Sequence, residues 1–153
     1  VSHANNDEIR GVLIQSGPER VLLPNATVAE MMAKVQIQPA PDGPEWLLGT
    51  LAWHGWDVPL VSFARLSGLG VDSVGSNNKV VVLKALAGNA QRPYFAFVTQ
   101  SFPQLISVPR DGLLADASEE TLPASVHMRV LLGEQNALLP NLDAVEEALD
   151  ALH

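Results

Sequence analysis

The chain has 153 residues, 47% of them hydrophobic, which is enough for one ordinary domain or two very small ones with genuine cores, and which argues against disorder. Nine basic residues against seventeen acidic ones give a net charge of -8, and the basic residues stand singly from Arg10 to Arg129, so a phosphate backbone would be repelled and nucleic acid is not an expected partner. The absence of cysteine removes disulfides, iron-sulfur clusters, thiol catalysis and most structural zinc sites.

The first ten residues, VSHANNDEIR, hold no apolar signal-peptide core. No window approaches the roughly 18 apolar residues of a membrane span. A soluble, cytoplasmic protein without direct membrane insertion is expected. The NAT at 25–27 would be a glycosylation sequon in a secreted chain, but nothing else points to secretion.

After a short tail over residues 1–7, the main signal is short apolar runs of strand length bounded by glycine, proline, asparagine and serine, the pattern of small barrels or a sandwich. EIRGVLIQ and RVLLP, separated by SGPE, form a hairpin. ATVAEMM is either a short helix or a bent strand. WLLGTLAW and DVPLVSF flank HGW as a second hairpin, with Gly55 free to take the positive φ that such a tight loop often needs. SGLGVDSVGSNN, residues 67–78, is polar and glycine-rich, a flexible loop between two halves.

Beyond it, KVVVLKAL, YFAFVTQ and QLISV are β-branched or aromatic enough to be buried strands. VHMRVLL alternates, placing Val126, Met128 and Val130 on one face and His127 and Arg129 on the other. GE then turns the chain into NALLP. NLDAVEEALDAL is the one strong helix: Leu142, Val145, Leu149 and Leu152 recur at spacings of three and four, Asn141 can cap it, and Asp143 suits the positive end of its dipole. Its four acidic residues are expected on a solvated face. RVLLPNATVAEMM and NALLPNLDAVEEAL share an order of strand, Leu-Leu-Pro-Asn, then a helical segment, which suits two similar β units with the same kind of exit.

The stretch AWHGWDVPLVSF gathers the letters of a hydrolase in His54, Asp57 and Ser62. A triad needs its base within hydrogen-bond reach of the nucleophile. In the hairpin His54 sits at the turn and Ser62 well along the outgoing strand, and there is no G-x-S-x-G elbow, so no catalytic residue is assigned. His3, His54, His127 and His153 lie far apart without an H-x-x-x-H pair, and no metal site is expected. GLGVDSVG lacks dinucleotide spacing, no P-loop is present, and no cofactor is expected. Trp53 shares a strand face with Leu47, Gly49 and Leu51 and belongs to a core, whereas Trp56, beside Gly55, suits an exposed protein contact.

PEWLLGTLAWHGWDVPLVSFARLSG resembles the signature of CheW-like domains, in which an apolar strand ending in glycine leads through N-L-R-G to V-P-V-I-D-L and then R. Gly49, Gly55, Val58, Pro59, Leu60, Val61, Phe63 and Arg65 fall in register with it. ERVLLPNATVAEMM is similar to the family's Y-A-I-P-I-x-x-V-x-E-V, with Val28 and Glu30 on its valine and glutamate, and ALLPNLDAVEEAL looks like its closing segment. The resemblance runs from about Glu8 to Leu152.

It implies a mainly β fold of two SH3-like five-stranded barrels packed together: the first over 8–66, a linker over 67–78, the second over 79–132, and a C-terminal strand and helix over 135–152 docking back. It also implies a non-enzymatic adaptor that couples a chemoreceptor's cytoplasmic tip to the regulatory domain of a CheA-type histidine kinase. Barrel edges would pair with the kinase and the groove between barrels would take the receptor. Carried over by position, Val28, Glu30, Gly49, His54 and Gly55 are partner-binding, joined by Trp56 from the reading of the turn.

Three departures stand out: His54 replaces the family's usual arginine, Ser62 an aspartate, and Thr99-Gln100 the usual Val-Asp. The LLPN, PEWLLG, VPLVSF and VTQ wording is similar to the divergent ChpC-type proteins of pilus chemotaxis clusters, which govern twitching motility. The rival from another class is a small β-barrel hydrolase or ligand-binding protein using the His54 to Ser62 region.

Overall fold

The computed structural model describes residues 8–39, 42–70, 79–85, 93–109, 113–115, 123–132 and 135–151. The chain opens with β1 (Glu8–Ser16) and β2 (Glu19–Pro24), paired antiparallel and closed by Gly17 and Pro18, where Gly17 takes φ 54°. A 3-10 turn over Asn25–Thr27 leads into β3 (Val28–Ala33), so the segment left open between helix and strand is a strand with a helical entry. The predicted hairpin around His54 and Gly55 is β4 (Leu47–Trp53) and β5 (Trp56–Val61), followed by α1 (Phe63–Ser67). Then come β6 (Lys79–Lys84), β7 (Tyr94–Thr99), β8 (Gln104–Pro109), β9 (Leu113–Ala115), β10 (Val126–Leu132), β11 (Gln135–Pro140) and α2 (Leu142–Asp150).

These strands form two sheets, ordered β8-β1-β2-β11-β10-β9 and β3-β6-β7-β5-β4. Both follow one plan. An edge strand lies beside a hairpin, which joins a second hairpin through a parallel pair: β2 with β11 in one sheet, β7 with β5 in the other.

Three layers of apolar side chains follow from this packing. The middle layer, between the sheets, takes Val12, Ile14, Val21 and Leu23 from one sheet, and Val81, Leu83, Phe95 and Phe97 from the other, with Val145 and Leu149 of α2 against them. Intervening residues of the same strands serve outer layers: Val80, Val82, Ala96 and Val98 on one side, Leu13 and Leu22 on the other. Successive side chains of a strand point to opposite faces, so a strand buried on both faces must be apolar throughout. That is why VLI, VLL, VVVL and YFAFV are continuous runs rather than alternations.

Several expectations are corrected. The sheets are mixed sheets of six and five strands rather than two closed five-stranded barrels. Nor do residues 8–66 and 79–132 sort into separate barrels, because β1 and β2 pair with β8 and β11, while β3, β4 and β5 pair with β6 and β7. Burying both faces of β1, β2, β6 and β7 requires the halves to interleave. Of the segment 67–78, residues 71–78 lie outside the described residues, as do 86–92 and 133–134. A bulge between Val126 and Met128 shifts the register of β10, so Val126 enters the middle layer while Met128 and Val130 join the outer one.

The C-terminal helix forms as its periodicity predicts. Asn141 Oδ1 accepts a hydrogen bond from the Ala144 amide at 3.2 Å, Asp143 lies in the first turn, and Leu142, Val145 and Leu149 face the middle layer, with Leu152 outside the described residues. Its acidic face is not wholly solvated, however, because Glu146 is buried next to Val145. The two LLPN exits lie side by side, with Leu138 of β11 paired in parallel with Val21 of β2.

Candidate partner-binding surface

Trp53 and Trp56 are paired across the β4–β5 hairpin, leaving His54 and Gly55 as a two-residue turn. Both turn residues have positive φ, 49° and 82°, as a type I′ turn requires. Glycine takes this conformation without penalty, and histidine belongs with asparagine and aspartate among the residues that tolerate it best. The His54 ring meets Trp53 edge-on at 4.4 Å, and Trp53 meets Tyr94 at 4.7 Å, so the tip rests on an aromatic base.

The tip reaches β3, at the far edge of the same sheet. His54 Nε2 lies 3.8 Å from Glu30 Oε1, with the two side chains 68% and 44% exposed. The sheet has curled until its edges approach. Past β3, the Gln38 amide donates to the Thr50 carbonyl at 2.8 Å and the Thr50 amide to the Gln38 carbonyl at 2.9 Å, tying the chain after β3 onto β4. Gly49 makes this approach feasible. Its φ is 150°, and a Cβ there would stand 2.1 Å from the Gln38 carbonyl oxygen.

Among the six residues marked by sequence, Glu30, His54, Gly55 and Trp56 are exposed around the hairpin tip and β3. Gly49 is buried at the strand junction, and Val28 is half-buried against the middle layer. The exposure of Met31, 40% on β3 next to Glu30, was missed, because two adjacent methionines, Met31 and Met32, give no periodic sign of which one faces out.

Ser62 does not belong to this surface. It is fully buried at the other end of β5, where its Oγ caps α1 by accepting from the Arg65 amide at 3.3 Å. The six residues of β5 separate it from His54 by roughly 20 Å of extended chain. The two cannot share a proton. Ser62 therefore has a structural use, since its hydroxyl satisfies one of the amides left open at the start of a helix. Among the described residues no group of histidine, aspartate and glutamate could hold a metal ion. No helix of the described residues is long and apolar enough to cross a membrane.

The model of the CheW-like domain family matches residues 10–149. The chain belongs to this family. Among solved structures it is similar to the scaffolding protein TtCheW from Thermoanaerobacter tengcongensis, at 14% identity and a TM-score of 0.70, over 87% of this chain and 88% of that one. A comparison with curated protein sequences gives no significant match. The fold is thus that of CheW. Family membership supports a scaffold of chemotaxis signalling that works by binding rather than by catalysis.

Proposed function

We propose that this CheW-like protein is a cytoplasmic adaptor that couples a chemoreceptor's cytoplasmic tip to the regulatory domain of a CheA-type histidine kinase. The observation that carries the reading is the exposed group Glu30, His54, Gly55 and Trp56, held by a type I′ turn and an aromatic base at the place where the family signature falls. A rigid, exposed tryptophan beside an opposed pair of polar side chains is suited to a protein contact. Partner contact at this tip draws on little reorganisation, because the turn, the ring stack and the Gln38–Thr50 tie already fix it.

The departure at His54 bears on partner choice. An arginine paired with Glu30 would be charged at every physiological pH and able to bond in two places, whereas an imidazole is an ion partner only when protonated. A partner matched to this chain therefore differs from one matched to arginine-bearing relatives. A ChpC-type role in pilus chemotaxis and twitching motility agrees with that difference.

The test is a pull-down of the folded protein with a CheA-type regulatory domain and with a receptor cytoplasmic tip. Association with either one, weakened by Trp56→Ala, is the expected result. Absence of association with both overturns the reading. In a parallel assay His54→Arg is expected to raise affinity for receptor and kinase domains taken from arginine-bearing systems.

A further inference from the structure

At the hairpin end of the five-stranded sheet, three aromatic rings and one carboxylate share a face. Residues two apart on a strand point the same way, so Trp53 lies on the side of Leu51, Trp56 on that of Val58 and Tyr94 on that of Ala96, all in the outer apolar layer of this sheet. Glu30 is paired with Val82 of the same layer and joins that rim. The rings meet edge-on, Trp53 with Tyr94 at 4.7 Å and Trp56 with Tyr94 at 6.4 Å, so none is stacked face to face on another. Trp56 is 40% accessible.

The carboxylate of this rim is poorly matched within the chain. His54 is its one ion partner among the described residues, and 3.8 Å is too long for a hydrogen bond and gives an ion pair only when the ring is protonated. Lys84, opposite Tyr94 on the same face, turns its Nζ to the Ala26 carbonyl at 3.4 Å instead. This restricts what can cover the tip. An apolar partner would strip water from the Glu30 carboxylate without giving it a donor, and an anionic one would repel it. A cation supplies what both parts of the rim lack, because it bonds to the carboxylate and is drawn to the negative faces of the rings. A guanidinium suits the place better than an ammonium, since its plane lies flat on an indole while its fork matches a carboxylate.

We propose that the hairpin tip is an acceptor site for an arginine side chain of the partner protein, lying across the aromatic rim beside Trp56 with its guanidinium hydrogen-bonded to the Glu30 carboxylate. The inference rests on the adaptor reading and names the group by which the partner engages this surface. It gives the tip a charge preference opposite to that of a tip with arginine at position 54, whose own guanidinium would occupy Glu30 and face the partner with a cation.

The probe is a pair of acetylated, amidated peptides, Gly-Ala-X-Ala-Gly, in which X is arginine or its uncharged analogue citrulline. Each is titrated into the ¹⁵N-labelled full chain. The arginine peptide is expected to shift the Trp56 indole and the amides of Glu30, His54 and Gly55 saturably, and the citrulline peptide to bind at least about fivefold more weakly. Glu30→Gln removes the charge at an exposed site, and His54→Arg supplies the carboxylate with a guanidinium from its own chain. Each should weaken the arginine peptide by a similar factor while leaving the rest of the spectrum in place. Equal affinities for the two peptides, shifts centred away from the tip, no effect of either substitution, or no shifts at millimolar peptide overturn the proposal. In the pull-down, Glu30→Gln is expected to weaken retention of the kinase or receptor domain. Unchanged retention there sinks this inference alone. If the arginine peptide binds at the tip and neither domain is retained, the adaptor reading falls instead.

Discussion

In the five-stranded sheet the chain past β3 is tied to β4 through Gln38 and Thr50, and the hairpin tip meets Glu30, whereas in the six-stranded sheet β8 has β1 as its one described neighbouring strand and leaves Leu105 exposed. The two sheets share an edge-hairpin-hairpin plan, so the difference lies in how each is finished. One finish depends on a glycine that lets two backbones touch. The other leaves Leu105 exposed on the strand that ends the order of described strands. A sheet whose edges are drawn together by one bridge presents the side chains of its hairpin turn, fixed against the opposite edge.

The largest expected effect comes from breaking the layer that both sheets share. Phe97→Ala removes a fully buried ring packed between Phe63 and Phe95 and should destabilise the protein by about 3–5 kcal/mol in urea denaturation. If the two sheets were independent units, the loss would appear as two separate transitions rather than one.

Next is the tie itself. Gly49→Ala forces a Cβ against the Gln38 carbonyl in a backbone conformation that suits glycine, and should cost about 2–4 kcal/mol from overcrowding plus strain. Hydrogen exchange should speed at Gln38 and Thr50 more than in β1 and β2. A uniform change across both sheets would show that the tie is not local.

Removal of the helix cap by Ser62→Ala should cost about 1–2 kcal/mol, with no loss of partner binding at the hairpin tip. Loss of binding without loss of stability would place Ser62 in the functional surface, contrary to its burial. The smallest effect is expected at β8, where Leu105→Ser, at an exposed side chain, should leave stability in urea denaturation unchanged to within about 0.5 kcal/mol. A large destabilisation there would mean that β8 is already covered.

Much of the fold is legible in the residues. The SGPE and HGW turns, the apolar runs within the strands and the capped helix at Asn141 all express local rules, in which a turn needs a residue tolerant of positive φ and a helix needs an acceptor for its first amides. The candidate surface was legible in part. Gly55 and Glu30 fell in register with the family signature, His54 stood at the place of its usual arginine, and Trp56 came from the reading of the turn, but nothing in the chain told that His54 and Glu30 would come within 3.8 Å, since they belong to opposite edges of the sheet order. Ser62 was misread as a strand residue because a one-turn cap such as S-F-A-R has no long apolar period to announce it. QLISV was expected to be a buried strand, but Leu105 is exposed because the sheet order leaves β8 at an end of the described strands.

The sequence alone determined most of the strands, the apolar character of their runs, the hairpin turns, the final helix and the family, because each depends on residues near one another in the chain or on a pattern of identities. Only the tertiary structure decided which strands pair, how the halves interleave, which side of Val126 faces inward, and where Glu146 is buried. These depend on long-range pairing, and a strand that is apolar on both faces is compatible with several neighbours until burying both faces at once selects among them.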